Sequence, residues 1–281
     1  MSTKILPGVY PNTPFEVYQS WDAINNSKLL AGLRSAAHLR HAIEHPEDTD
    51  TPETRIGHAF HCLTWQAHEF EGRYCRVPDV DGRTKEGKAA MEAARATGKA
   101  ILRHDEWAAA NKLHEAVIAN EDAWALIDAC DLREVAIVWD DPETGIRRKA
   151  MIDGMRTDAA TAFFCDLKST RDAKPSEFAR AILNFGYHIQ LAGYREAVKA
   201  GFGLNVPAML IAVEKDEPHP VAVYELDDEA AAIGWAEDRR LLAMLKECRE
   251  TGVWPAYGVG VKRIGLPAWA VNRHMQEEAM R

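Results

Sequence analysis

Between residues 134 and 168 the chain carries three strand signals in quick succession, and no all-helical fold can absorb them. Glu134-Val135-Ala136-Ile137-Val138-Trp139 is rich in β-formers, and Asp141-Pro142-Glu143-Thr144-Gly145 is a turn. Residues 146–156 return as the second strand of a hairpin, and residues 161–168 read as a third strand. Residues 175–199 then form an amphipathic helix with Pro175 in its first turn. Two more strands are read at 206–214 and 221–226, and a closing helix at 227–251. Upstream the texture is helical. Residues 23–45 are helix-compatible, with Asn26 or Ser27 as the cap, and residues 45–54 are a polar loop. A helix over 55–69 has Ile56, Phe60, Leu63 and Ala67 as its apolar stripe. Residues 77–84 are a loop, and 85–129 are alanine-rich and helical with a break near Thr97-Gly98. This order predicts an α/β (α+β-like) fold, a central mixed β-sheet flanked by helices with a helical N-terminal region. We expect a single domain over 1–281, mainly helical through residue 130 and an α/β core over 131–281.

Asp166-Leu167-Lys168 closes the third strand. Alternation sets Asp166 and Lys168 on one face and Leu167 on the other. Asp153 lies thirteen residues earlier, in the second hairpin strand. If the hairpin brings Asp153 alongside, two carboxylates and an ammonium converge. Carboxylates that close repel, and a divalent cation with hard oxygen ligands, Mg²⁺ or Mn²⁺, removes the repulsion. Such a cation would serve phosphate chemistry, with Lys168 orienting the attacking water. The alternative is a solvated strand end with a surface ion pair, which a three-residue pattern does not exclude. His61, in Gly57-His58-Ala59-Phe60-His61, either completes a metal shell or is a hydrogen-bonded helix histidine. Gln190 and Tyr194 share a helix face with Tyr187. They suit phosphate or nucleophile contacts, or form a half-buried helix face. Glu134 is a third acid that either enters the site or ends a surface strand.

These segments occur in a recognisable order: AINNSKLLAGLRSAAHLRHAIEHP near the N-terminus, RIGHAFH at 55–61, REVAIVW at 133–139, KAMIDGM at 149–155, DLKST at 166–170, YHIQLAGY at 187–194 and CRETGVWPAYG at 248–258. In order and spacing the chain resembles the PD-(D/E)xK nuclease superfamily, and within it the RecE group of exonuclease VIII-type and phage recombination exonucleases. It departs from that group at Ala36, where Pro is usual, at Leu39, where Tyr is usual, and at Met151-Ile152, often Arg-Pro. The resemblance implies a PD-(D/E)xK nuclease core with His61, Asp153, Asp166 and the backbone carbonyl of Leu167 as metal ligands. It implies Asp153, Asp166 and Lys168 as catalytic residues, with Gln190 and Tyr194 flanking the centre and Glu134 and Lys149 as additional site residues. It further implies a deoxyribonuclease using Mg²⁺, or Mn²⁺ in its place, that digests double-stranded DNA ends 5′ to 3′. A single-strand annealing protein as partner and a ring-like homo-oligomer are part of the same expectation. The competing readings are a metal-dependent endonuclease of the same superfamily and a catalytically silent DNA-end-binding protein. The iron–sulfur nucleases of the superfamily need four cluster cysteines, and this chain has only Cys248 near its C-terminal end.

Charge bears on the DNA expectation. The chain holds 34 Lys and Arg against 43 Asp and Glu, a net of −9, which argues against a protein that simply coats nucleic acid. Residues 145–200 nevertheless hold ten Lys or Arg and six Asp or Glu, a local +4. Arg147, Arg148, Arg171 and Lys174 are the expected DNA-binding residues. The five cysteines are scattered without a CxxC, so neither a disulfide framework nor a zinc ribbon is expected. Neither GxGxxG nor GxxxxGK[ST] occurs, which disfavours a nucleotide-using metabolic enzyme. The sequence MSTKILPGVYPN lacks the apolar core of a secretory signal, and no apolar run approaches the roughly 20 residues of a membrane span. A cytoplasmic protein without a membrane segment is expected.

Overall fold

A three-residue strand, β1 (Gly8–Tyr10), is followed by the short helices α1 (Phe15–Ser20) and α2 (Asn26–Leu30). The structure, a computed structural model, describes residues 3–45 and 50–279. Residues 46–49, within the stretch read as a polar loop, lie outside the described residues. The helix-compatible stretch 23–45 forms three pieces: α2, a 3-10 turn (Ala31–Leu33) and α3 (Ala36–Glu44). Asn25, not Asn26 or Ser27, caps α2 by accepting the Lys28 N–H at 3.1 Å, and Ser35 starts α3 afresh by accepting the His38 N–H.

Thr51 caps α4 (Pro52–Trp65), and α5 (Ala67–Arg73) follows directly, so Ala67 falls outside the helix whose stripe was to include it. The strands β2 (Tyr74–Arg76) and β3 (Ala100–Leu102), unmarked in the sequence, pair in parallel across α6 (Lys85–Ala96). The break expected near Thr97-Gly98 is present, with Gly98 at φ +68°. Then come α7 (His104–Ala119) and α8 (Glu121–Ala129).

The hairpin forms as read, from β4 (Leu132–Asp140) and β5 (Arg147–Arg156), with Val138 opposite Lys149 and Val135 opposite Ile152. β6 (Phe163–Thr170) runs antiparallel to β5. A parallel neighbour requires a crossover of a dozen or more residues. Here α9 (Pro175–Phe185) and α10 (Tyr187–Phe202) supply it, delivering β7 (Ala208–Glu214) parallel to β6. The helix expected over 175–199 is therefore two, because Gly186 takes a left-handed conformation at φ +68°. β8 (Val221–Glu225) pairs antiparallel with β7, and α11 (Asp228–Thr251) closes the core between its cap Asp227 and Gly252 at φ +73°. The mixed sheet has the order β1-β4-β5-β6-β7-β8. An additional helix, α12 (Ala268–Ala279), was not anticipated.

Each face of the sheet has its own core. Val135, Ile137, Ala150, Ile152 and Phe164 pack under α10 through Leu191, Ala197 and Val198. On the opposite face Cys165, Leu167, Ile211 and Val213 meet Phe60 and Leu63 of α4 and Leu113 and Val117 of α7. Each such side chain, fully buried, contributes about 1.5–3 kcal/mol. The packing also explains Gly154. A Cβ there would lie 2.4 Å from the Trp65 ring and 2.9 Å from Cys130 Sγ.

Candidate active site

α4 carries His61 beside the strands, and β5 carries Asp153 across from it. Asp153 Oδ2 accepts the Leu167 N–H at 2.8 Å and lies 3.6 Å from His61 Nδ1. Glu134 joins them. Its φ of +47° is rare for a residue with a side chain, and such backbone costs on the order of 1 kcal/mol or more. Ligand atoms of His61, Glu134 and Asp153 all lie within 4.8 Å of one another. Strained backbone thus occurs where a third polar ligand atom is brought to the group.

On β6, Asp166 and Lys168 share a face and Leu167 enters the opposite core, as alternation predicts. Lys168 Nζ stands 2.7 Å from Asp166 Oδ2 and 4.8 Å from the centre of the Tyr187 ring. The Lys168 ammonium is thus the close neighbour of this buried carboxylate oxygen. Asp166 was expected among the metal ligands. The structure sets it beside the ammonium, and the cluster of three is His61, Glu134 and Asp153. Gln190 Nε2 donates to Tyr194 Oη at 2.8 Å, so the pair expected on one helix face is in direct contact.

The electrostatics are those of crowded acids. Burial, then repulsion from Asp166, pushes the Asp153 carboxyl up to about 8 against the favourable Lys168 charge and Leu167 N–H. Burial and Asp153 push Glu134 up to about 8 as well. Burial lowers the His61 pKa although Glu134 and Asp166 oppose it. Burial also works against the Lys168 charge, but Asp166 and Asp153 prevail and hold the ammonium above its ordinary range. A neutral imidazole and two acids that ionise at a cost, with the Asp166 carboxylate beside them, fit a hard divalent cation. His61, Glu134 and Asp153 could hold it, with Asp166 and the Leu167 carbonyl adjoining.

These groups open on a cleft of about 1890 Å³, which His61, Glu134, Asp153, Gln190 and Tyr194 line in common. Its basic lining comes from the helical half, including Lys28, Arg34, Arg95 and Arg103, which make no ion pair among the described residues. Sequence reasoning missed all four, since nothing local marks them as neighbours of a strand motif more than 30 residues away. One expected DNA-binding residue is corrected. Arg148 is fully buried, its guanidinium bidentate on Asp238 at 2.7 and 2.9 Å and donating to Asn26 Oδ1 at 2.7 Å. It cannot reach a phosphate. Arg147 is paired with Asp140 six residues along β5 from Asp153, about 20 Å at the rise of a strand. Arg171 and Lys174 are exposed just past β6 and free of acidic partners among the described residues. Lys149, expected as an additional site residue, borders the cleft but donates to the carbonyls of Tyr18, Gln19 and Trp21 at 2.7–3.0 Å. Its ammonium ties β5 to the end of α1.

One solved structure has a similar fold, and another aligns more loosely. A protein described as a "putative exonuclease" from Eubacterium rectale superimposes with a TM-score of 0.57 at 12% identity, covering 87% of this chain and 91% of that one. An alkaline exonuclease from Laribacter hongkongensis aligns over 66% of this chain and 96% of its own at 15% identity, with a TM-score of 0.26. No curated protein matches the sequence. The profile of one family matches residues 27–262, a span that takes in His61, both carboxylate strands and α10. The chain belongs to the family of the PDDEXK-like domain of unknown function DUF3799.

Proposed function

We propose that this chain is a divalent-metal-dependent deoxyribonuclease acting on double-stranded DNA ends, with 5′-to-3′ polarity like the RecE-type exonucleases. The carrying observation is the convergence of His61, Glu134 and Asp153 within 4.8 Å in a cleft, next to the Asp166–Lys168 pair. Mg²⁺, with Mn²⁺ as substitute, would polarise the phosphodiester and acidify water at the cluster. The chain's own groups supply the rest. Lys168, kept cationic by Asp166 and Asp153, offsets charge developing on the phosphate and orients the attacking water. Gln190 and Tyr194 offer an amide and a hydroxyl to the substrate from α10. Arg147, Arg171 and Lys174 are the remaining expected contacts to the DNA backbone. In this reading residues 1–281 act as one domain in the cytoplasm, with a single-strand annealing protein as partner and as part of a ring-like homo-oligomer.

End-labelled linear duplex and closed circular DNA, each with Mg²⁺ and with EDTA, test the proposal. Digestion of the linear form alone, abolished by EDTA, is expected. Equal cutting of the circle would replace the exonuclease by an endonuclease. No cutting with Mg²⁺ or Mn²⁺ would leave a DNA-end-binding protein.

A further inference from the structure

Arg148 and Lys149 both reach the same N-terminal segment. Lys149 clasps the carbonyls of Tyr18, Gln19 and Trp21, and its own N–H donates to the Ile24 carbonyl at 2.9 Å. The Ile24 N–H in turn donates to the Arg147 carbonyl at 2.9 Å. Residues 18–26 are thereby fastened along β5, the strand that carries Asp153. At the end of this segment stands Asn26, the first residue of α2, which is 5% exposed and lines the cleft. Its Oδ1 accepts from Arg148 at 2.7 Å, and its Nδ2 donates to the Gln190 carbonyl at 2.6 Å. A guanidinium only donates and a carbonyl only accepts, so the two partners fix which end of the amide faces which. An aspartate of the same shape lacks the donor, and a leucine lacks both groups.

The start of α10 has little else to fix it. The helix begins at Gly186, in the left-handed region at φ +68°, with no side-chain cap. Its first turn carries Gln190, whose Nε2 donates to Tyr194 Oη, and both side chains line the cleft together with His61, Glu134 and Asp153. Gly193 lets the helix come this close. A Cβ there would lie 2.4 Å from Asn26 Nδ2 and 2.7 Å from a terminal nitrogen of Arg148. Arg148 is itself held bidentate by Asp238 of α11. A chain of buried polar groups thus runs from α11 through β5 and Asn26 to the backbone of α10.

We infer that Asn26 is a positioning residue, which sets the Gln190–Tyr194 pair of α10 against the His61–Glu134–Asp153 cluster by tying the Gln190 carbonyl to Arg148. The anchoring of α10 stands on the geometry, and its consequence for turnover rests on the nuclease reading. Misplacement by about 1 Å costs on the order of 10²-fold in rate, so Asn26 acts on turnover without touching the DNA.

Amide hydrogen exchange of the full chain in EDTA reads the anchor. Asn26→Asp keeps the acceptor for Arg148 and removes the donor to Gln190. Amides over residues 187–194 should then exchange at least tenfold faster than in the wild type, with those of β6 unchanged. Asn26→Ser, too short to reach either partner, serves as the second variant if Asn26→Asp folds poorly. In digestion of end-labelled linear duplex with Mg²⁺, Asn26→Asp should lower kcat about ten- to a hundredfold, with KM and Mn²⁺ affinity by calorimetry within about twofold of the wild type. In a Gln190→Ala, Tyr194→Phe background the same substitution should change kcat less than about twofold, because the groups it positions are gone. A purely structural asparagine would slow both backgrounds equally. Unchanged exchange over 187–194 in both variants, an unchanged kcat, or equal losses in the two backgrounds would overturn the inference. A wild type that cuts neither linear nor circular DNA with Mg²⁺ or Mn²⁺ would remove the nuclease reading instead. Exchange over 187–194 then decides for or against Asn26 as the anchor of α10.

Discussion

Asp153→Asn should stabilise the metal-free protein while removing its response to divalent cations. Asp153 is 7% exposed, and its carboxyl is pushed up to about 8 by burial and by Asp166. A carboxyl whose folded pKa exceeds its unfolded value, about 3.9, binds more protons folded than unfolded. Stability is therefore greatest below pH 4 for this group and falls as the pH climbs towards 8. The slope for one independent carboxylate is at most about 1.4 kcal/mol per pH unit, or some 3 kcal/mol between pH 5 and pH 7. Water in the cleft reduces this, and about 1–3 kcal/mol is the working range. For a chain of this size that is about 3–8 °C in Tm. The asparagine keeps an oxygen to accept the Leu167 N–H but has no proton to lose. In EDTA, the wild type should lose several degrees of Tm from pH 5 to pH 7 more than Asp153→Asn does. The net charge of −9 acts on both proteins, so the difference between their slopes isolates the residue. At pH 7.5, Mn²⁺ at a hundred times its Kd should restore about 2.7 kcal/mol to the wild type and little to the variant. Parallel slopes in EDTA, or equal gains from Mn²⁺, would refute the reasoning.

Asp166→Asn should lower cleavage of linear duplex in Mg²⁺ by several orders of magnitude while DNA-end binding in Ca²⁺ survives, since it removes charge beside Lys168 without changing shape. Undiminished digestion by the pure variant would end the assignment at this motif. Gln190→Ala and Tyr194→Phe should reduce turnover with metal affinity by calorimetry near normal, because the pair lies outside the His61–Glu134–Asp153 cluster. A large loss of affinity in either would contradict that. Arg148→Ala should cost about 1–3 kcal/mol, because it removes one of the two guanidinium partners of the buried Asp238 and leaves Arg239 at 2.9 Å, read as a lowered urea midpoint. A midpoint within experimental error of the wild type would show the pair to be dispensable.

Much of the sheet-bearing half was legible because its signals are local. A period of two sets Asp166 and Lys168 on one face of β6 whatever lies around them, and Asp141 to Gly145 make their own turn within five residues. The juxtaposition of His61 with Asp153 was readable only through the resemblance, since 92 positions separate them and no periodicity links α4 to β5. Other features had no local signal at all. Glu134 was a candidate as a third acid, but the left-handed backbone that brings it into the cluster is one its residue type disfavours, and no local pattern announces it. Arg147, Arg148 and Lys149 look alike in sequence, yet one pairs at a strand end, one is sealed by Asp238 and one clasps three carbonyls. Asp238 lies 90 residues away in the chain. Strand alternation and turn chemistry are thus written in neighbouring residues and survive without tertiary context. Which charges are buried, and which acids share a cleft, depends on helices that arrive from distant parts of the chain, and packing alone decides that.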